Sequence, residues 1–152
     1  MNDIVMWAMG LVALIMIGCA GWVRLAPVNV GRWHKASDVA GMGHSPADGG
    51  HVWRGGVAGD GRAEFKRLDH IIRATPRTRT IAGAVDAGMV SYETRSTFWG
   101  FPDYTTVSLG GGASGTDAKR YLEIYSRLRF GRSDFGVNRG RIAGWLQALG
   151  QG

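Results

Sequence analysis

Fifteen of the 18 basic residues in this 152-residue chain are arginine, and the densest group of them lies near the C-terminus. The run Ser126-Arg-Leu-Arg-Phe-Gly-Arg-Ser-Asp-Phe-Gly-Val-Asn-Arg-Gly-Arg-Ile142 sets Arg127, Arg129, Arg132, Asp134, Asn138 and Arg139 among glycines and apolar residues. A guanidinium is a planar fork of donors, charged at any physiological pH, whose shape matches a carboxylate or a phosphate. Five arginines between positions 127 and 141 face one acid, Asp134, so the run holds cationic charge that it does not neutralise itself. Arg95 and Asp103 join the set from upstream. One reading is recognition of an anionic ligand or partner. The other, the commoner fate of such sets, is internal: Arg95, Arg127 and Arg139 pair with Glu93, Glu123, Asp103 and Asp134 and fix strand register and the turn into the last helix.

Other chemistries find little support. No Gly-x-Ser-x-Gly elbow or phosphate-binding Gly-x-x-x-x-Gly-Lys pattern occurs, and Gly110-Gly-Gly-Ala-Ser-Gly115 reads as a hairpin tip. His34, His44 and His51 lie near Asp38 and Asp48, but their spacings fit no compact metal-ligand pattern, so no metal is expected. His70 reads as a surface residue. Asp103 and Asp134 would serve as an acid/base pair only if the fold brought them together. No catalytic residue and no cofactor is assigned. Cys19 is the single cysteine, which removes internal disulfides and thiol catalysis elsewhere in the chain.

The elements that would position these residues follow from periodicity. Phe65, Leu68, Ile71 and Ile72 recur at helical spacing and predict a helix over 62–74, with Asp60 a possible N-cap and Pro76 ending it. Four strands are expected at 78–85, 89–98, 103–109 and 119–130. In the last, Leu122, Ile124, Leu128 and Phe130 alternate with Tyr121, Glu123, Tyr125, Arg127 and Arg129, as in a half-buried antiparallel strand. A final helix is expected over 134–149, with Val137, Ile142, Trp145, Leu146 and Leu149 as its apolar stripe and Asp134 or Asn138 as its cap. The expected fold class is α+β: an antiparallel sheet of about four strands, two helices on one face, and Glu93, Arg95, Glu123, Tyr125, Arg127 and Arg129 on the other. Trp99 and Phe101, flanking Gly100, are expected in the core; the alternative is an apolar lip.

Between Ile4 and Val23 no residue is charged. Twenty residues at 1.5 Å each span about 30 Å, the thickness of the hydrocarbon layer, so residues 1–24 are expected to be a transmembrane anchor, with Trp7 and Trp22 near its ends. A cleaved signal peptide after Gly18-Cys-Ala20 is the rival reading; against it, no Lys or Arg precedes the apolar run. Lipidation at Cys19 is disfavoured by the poor match of Met16-Ile-Gly-Cys19 to a Leu-led lipobox. Residues 25–60, rich in glycine, are expected to be a linker with at most one strand near 51–57, and residues 61–150 the folded domain. Asp3 is the only charge before Arg24, so the rest of the chain carries all 18 basic residues against 11 acids. A basic domain on a tether is attracted to anionic lipid. No nucleic-acid-binding motif is present, and none is expected as a partner.

Together with Thr94-Arg-Ser-Thr-Phe-Trp-Gly-Phe-Pro-Asp-Tyr104, the C-terminal run resembles the signature of a bacterial and chloroplast family known as domain of unknown function 1499. Arg24-Leu-Ala-Pro27 and Arg32-Trp-His34 also resemble its bacterial branch. The resemblance implies a membrane-associated α+β domain and no particular activity. Some chloroplast-type relatives carry a cysteine before the first domain helix, where this chain has His51-Val-Trp-Arg-Gly-Gly56. The resemblance implies an exported domain, hence a single-pass protein of the bacterial inner membrane facing the periplasm, whereas Arg24, Arg32 and Lys35 favour the cytoplasmic side. The leading functional expectation is a non-catalytic accessory module of a larger membrane complex. The alternatives are binding of an anionic lipid or small anion on the Arg-rich sheet face and, last, hydrolysis.

Overall fold

A computed structural model describes residues 2–97, 99–111 and 120–151. Helix α1, Asn2–Leu25, carries the apolar run, and a single turn, α2, covers Val30–Trp33. Strands β1, Gly43–Ala47, and β2, Gly50–Gly56, form a hairpin. Then come α3, Arg62–Ala74, and β3, Thr78–Ala84. Beyond a 3-10 turn at Val85–Ala87 lie β4, Met89–Arg95, β5, Pro102–Gly110, β6, Tyr121–Leu128, and α4, Val137–Leu149. Among the described residues these strands make one antiparallel sheet in the order β1-β2-β6-β5-β4-β3.

The α+β class holds, but the sheet has six strands rather than four. The two extra strands lie in the stretch read as linker; β2 is the strand expected there near 51–57, and β1 was not expected. β2 pairs with β6 along its whole length, from Gly50 opposite Arg127 to Gly56 opposite Tyr121. β1 has no apolar alternation to announce it. It is an edge strand with Pro46 in its middle, tolerable because an edge leaves one row of backbone groups unpaired. The expected tip at 110–115 and Phe98 fall largely or wholly outside the described residues.

α3 and α4 cover one face of the sheet. Phe65, Leu68 and Ile72 of α3 and Ile142, Trp145, Leu146 and Leu149 of α4 meet Trp53, Val90, Tyr92, Val107, Leu122 and Ile124. Each such side chain contributes about 1.5–3 kcal/mol on burial. The stripe of α4 is shifted from the expected one. Val137 is 54% exposed, whereas Asn138 is fully buried, because 138, 142, 145 and 149 are the positions that share a helical face. Asn138 accepts from Ser126 Oγ (2.7 Å) and Arg141 Nη1 (2.7 Å), and Arg141 pairs with Asp103 (3.0 Å). This chain of polar contacts fastens α4 to β5 and β6.

The opposite face is not open. Residues 26–42 run across it as a strap. Trp33 stacks on Tyr104 with ring centroids 4.3 Å apart, and its carbonyl accepts from Thr106 Oγ1 (2.9 Å). His34 Nδ1 meets Ser91 Oγ at 2.9 Å. Ser37 gives its backbone N–H (2.8 Å) and hydroxyl (2.9 Å) to the buried carboxylate of Glu123, which also receives Arg54 Nε at 2.6 Å. Removing one member of a buried ion pair typically costs about 3–5 kcal/mol. Glu123→Ala is therefore expected to lower stability by that order and to raise amide hydrogen exchange across residues 33–42. Unchanged exchange there would show that Glu123 does not hold the strap.

Candidate functional site

β6 alternates its side chains between the two faces, so Arg127 emerges under the strap, and Arg129, one residue past the strand's end, reaches the same side. Arg127 is 5% exposed. One of its nitrogens, Nη2, donates to the Trp33 carbonyl, and its guanidinium lies 4.0 Å from the Tyr125 ring centroid and 5.3 Å from that of Trp33. The other terminal nitrogen, Nη1, is buried without a hydrogen-bond partner among the described residues. Among the described residues Arg127 has no ion pair. Burial pushes its pKa down, and the neighbouring Tyr125 and Glu123 only partly offset this; an arginine nonetheless stays charged.

Sheet register explains the missing partner. Glu123 lies opposite Arg54 on β2, and Glu93 lies opposite Arg79 on β3. Arg127 lies between Gly50 on β2 and Tyr104 on β5, neither of them acidic. Beside it is a cavity of about 300 Å³ lined by Arg32, Trp33, Lys35, Asp48, Tyr125 and Arg129 together with Gly49, Leu128 and Gly131. Four cations and one carboxylate therefore line a half-open space. That is the charge pattern of an anion site, with aromatic walls from Trp33 and Tyr125.

The sequence-derived candidates divide four ways. Arg127 and Arg129 line the cavity; Arg129 also donates to the carbonyls of Ala26 (3.2 Å) and Pro27 (3.0 Å) and to Tyr104 Oη (3.2 Å). Arg95 lies elsewhere on the same face, paired with Glu93 at 2.6 Å and donating to the carbonyls of Gly100 (3.2 Å) and Arg24 (3.3 Å). Asp103, Asp134 and Asn138 belong to the α4 side. Asp134 Oδ1 and Oδ2 accept the N–H groups of Gly136 (3.1 Å) and Asn138 (2.9 Å), so Asp134 caps the helix start while Asn138 serves as a buried joint. Burial pushes the Asp103 carboxyl up despite Arg141 beside it. Burial also pushes Asp134 up, but the two backbone donors win and hold it below its usual value. Arg132 and Arg139 are exposed and make no ion pair or hydrogen bond among the described residues.

Arg32, Trp33 and Lys35 were not assigned to a site by sequence reasoning, and Tyr125 was placed on the Arg-rich face without being named as a site residue. The strap that carries the first three has no periodicity to read, and the one signal was the Arg-Trp-His triplet at 32–34. The histidines are dispersed: His44 Nδ1 meets His51 Nε2 at 3.1 Å, while His34 goes to Ser91. Among the described residues no group of three or more His, Cys, Asp or Glu is placed to hold a metal.

A family model described as "Protein of unknown function (DUF1499)" matches residues 50–149. No curated protein and no solved structure matches the chain. The matched region runs from the first residue of β2 to the last of α4. It thus contains Tyr125, Arg127 and Arg129 but not the strap residues of the cavity.

Glu93, 1% exposed, is the other buried acid of this face. Burial alone would raise its pKa, but hydrogen bonds from Arg79 and Arg95 outweigh that and hold it below the usual carboxylate value. A depressed acid adds stability at pH above its unfolded value, near 4.5, and that stability is lost as pH falls through the folded value. Glu93→Gln should cost about 2 kcal/mol at pH 7, as expected for charged hydrogen bonds, and flatten the fall of Tm between neutral and acid pH. Parallel Tm–pH curves for the two proteins would show that Glu93 is not the group titrating.

Proposed function

We propose, for a chain that belongs to the DUF1499 family of proteins of unknown function, that it is a membrane-anchored binding module holding one anionic group, a phosphate or carboxylate, against Arg127. The carrying observation is Arg127 itself: buried, unpaired by any described carboxylate, with one nitrogen unpartnered among the described residues, and lining a cavity with Arg32, Lys35 and Arg129. A buried cation without a counter-charge costs several kcal/mol. Stacking on Tyr125 and Trp33 returns about 1–2 kcal/mol. An anion in the cavity would supply the rest. Binding rather than turnover fits the lining, because no serine, cysteine or histidine is among the described residues that form it. This geometry favours the anion-binding reading over an accessory subunit, which no contact among the described residues singles out.

The tether in this reading is α1, a 24-residue helix with a mean hydropathy of 2.3 over its apolar window. We place it across a bacterial inner membrane once, with the domain on the periplasmic side, following the family resemblance. The basic residues after the helix argue the other way, so the side is decided by experiment. Alkaline phosphatase fused after the last residue should be active in cells; an inactive fusion, with a cytoplasmic reporter active at the same point, reverses the assignment.

The anion site is tested with the full chain in phosphatidylcholine nanodiscs, titrated with inorganic phosphate by calorimetry. Saturable binding is expected. Arg127→Met should weaken it at least about tenfold, equivalent to 1.4 kcal/mol. The exposed substitutions Arg32→Ala and Lys35→Ala should weaken it without loss of fold. Phosphatidylglycerol in the disc competes with phosphate if headgroups reach the cavity and leaves the titration unchanged if the ligand comes from solution. Absence of saturable binding in both discs, or equal binding by all three variants, overturns the proposal.

A further inference from the structure

We infer that the domain does not stand clear of the bilayer on its anchor but rests with the loop between β4 and β5 sunk into the adjoining leaflet. Met16, Cys19, Ala20 and Val23 share one face of α1, and with Trp99 and Phe101 they line an apolar groove of about 160 Å³. The loop therefore lies alongside the last two turns of the apolar helix and not beyond its end. At 1.5 Å per residue, Met16 is about 14 Å back along the helix from Leu25. A span with its hydrocarbon-matching stretch at residues 4–23 puts Met16 to Val23 inside the hydrocarbon, and whatever packs against them shares that depth.

The loop is made for such a place. Trp99 is 52% and Phe101 43% exposed, surface that water would disfavour and lipid would accept. Trp22 and Phe101 each pack near Phe130, with centroids 5.6 and 6.2 Å apart, extending the aromatic surface around the helix. Backbone entering lipid must satisfy its own polar groups. Here Ser96 N–H donates to the Phe101 carbonyl (2.9 Å), Phe101 N–H donates to Ser96 Oγ (3.0 Å), and the Gly100 carbonyl accepts from Arg95 Nη1 (3.2 Å). Next to the aromatics comes net cationic charge: Arg24, Arg77, Arg79 and Arg95 line a groove of about 470 Å³ beside Gly100 against one acid, Glu93, which pairs with Arg79 and Arg95. Aromatic rings followed by arginines is the order in which a protein meets the interface and then the phosphates of a bilayer. The expectation that Trp99 and Phe101 lie in the core is corrected by the same exposures: they are buried against lipid in this arrangement, not against the sheet.

This inference rests on α1 spanning the membrane, and the experiment separates the two. In a Cys19→Ala background, nitroxide labels are placed singly through Val12→Cys, Phe101→Cys and Asp86→Cys in the full chain reconstituted in phosphatidylcholine vesicles. Asp86, fully exposed in the 3-10 turn, is the aqueous reference. Collision rates with oxygen and with a water-soluble nickel chelate report depth. The label at Phe101 is expected to favour oxygen, at a depth between Val12 and the phosphates. A Phe101 label that reads like Asp86 while Val12 reads deep overturns the inference and leaves the span standing; an aqueous Val12 label removes both. In the unmodified chain, brominated lipid should quench tryptophan fluorescence by an increment that Trp99→Phe abolishes, and an unchanged increment likewise counts against it.

Discussion

The outer face of the sheet is governed by one constraint: charges that strand register has placed out of water must find counter-charges there. Glu93, Glu123 and Arg127 are all nearly inaccessible. For the two acids the register itself supplies the answer, since Arg79 and Arg54 stand directly opposite them on the neighbouring strands. The strap then completes the coordination of Glu123 with the backbone and hydroxyl of Ser37. Buried ion pairs of this kind contribute little net stability, because desolvation offsets the attraction, but each partner becomes costly to remove alone. They fix where the strap must lie more than they make the domain stable.

The strap explains why the region after α1 does not behave as a tether. The last carbonyls of a helix have no partners within it. At α1 the sheet provides them: Arg95 donates to the Arg24 carbonyl, and Arg129 to those of Ala26 and Pro27 just beyond. Val23 and Ala26 are each only 8% exposed, buried against the domain. The cations also sit favourably at the negative end of the helix dipole. Helix and sheet are thus joined through charged donors from β4 and the end of β6, with no free linker between them.

What the sequence showed plainly was whatever carried its own periodicity. α3 was legible from Phe65, Leu68 and Ile72, and β6 from the alternation of Leu122 and Ile124 with Glu123, Tyr125 and Arg127. The face assignment of those residues came with it. β1 was not legible, since an edge strand containing Gly43, His44, Ser45, Pro46 and Ala47 has neither alternation nor β-branched residues. The strap was hidden for a deeper reason. It is held by contacts of Trp33, His34 and Ser37 with Ser91, Thr106, Glu123 and Arg127, 57 to 94 residues away, and no local pattern encodes contacts at that separation. Asn138 was offered beside Asp134 as a cap, but it lies on the helical face it shares with Ile142, Trp145 and Leu149, and that face turns it inward to Ser126.

Arg127 differs from the two acids because neither neighbouring strand is free to supply its counter-charge. On β2 the facing residue is Gly50, and a Cβ there would stand 2.1 Å from the Ser126 carbonyl oxygen and 2.7 Å from Arg127 Cα, so no acidic side chain fits without moving backbone. On β5 the facing residue is Tyr104, already committed to stacking on Trp33 and to the Arg129 guanidinium. Compensation must therefore come from outside the paired strands. The remaining carboxylate at the cavity is Asp48, exposed and without an ion pair among the described residues, in the turn between β1 and β2. One exposed acid against Arg32, Lys35, Arg127 and Arg129 leaves a surplus of positive charge around a space of about 300 Å³. The arginine excess visible in the sequence thus has two separate origins. Arg132 and Arg139 are solvated surface charge. Arg127 is a cation for which the neighbouring strands supply no acid, and that is the feature an anionic ligand would complete.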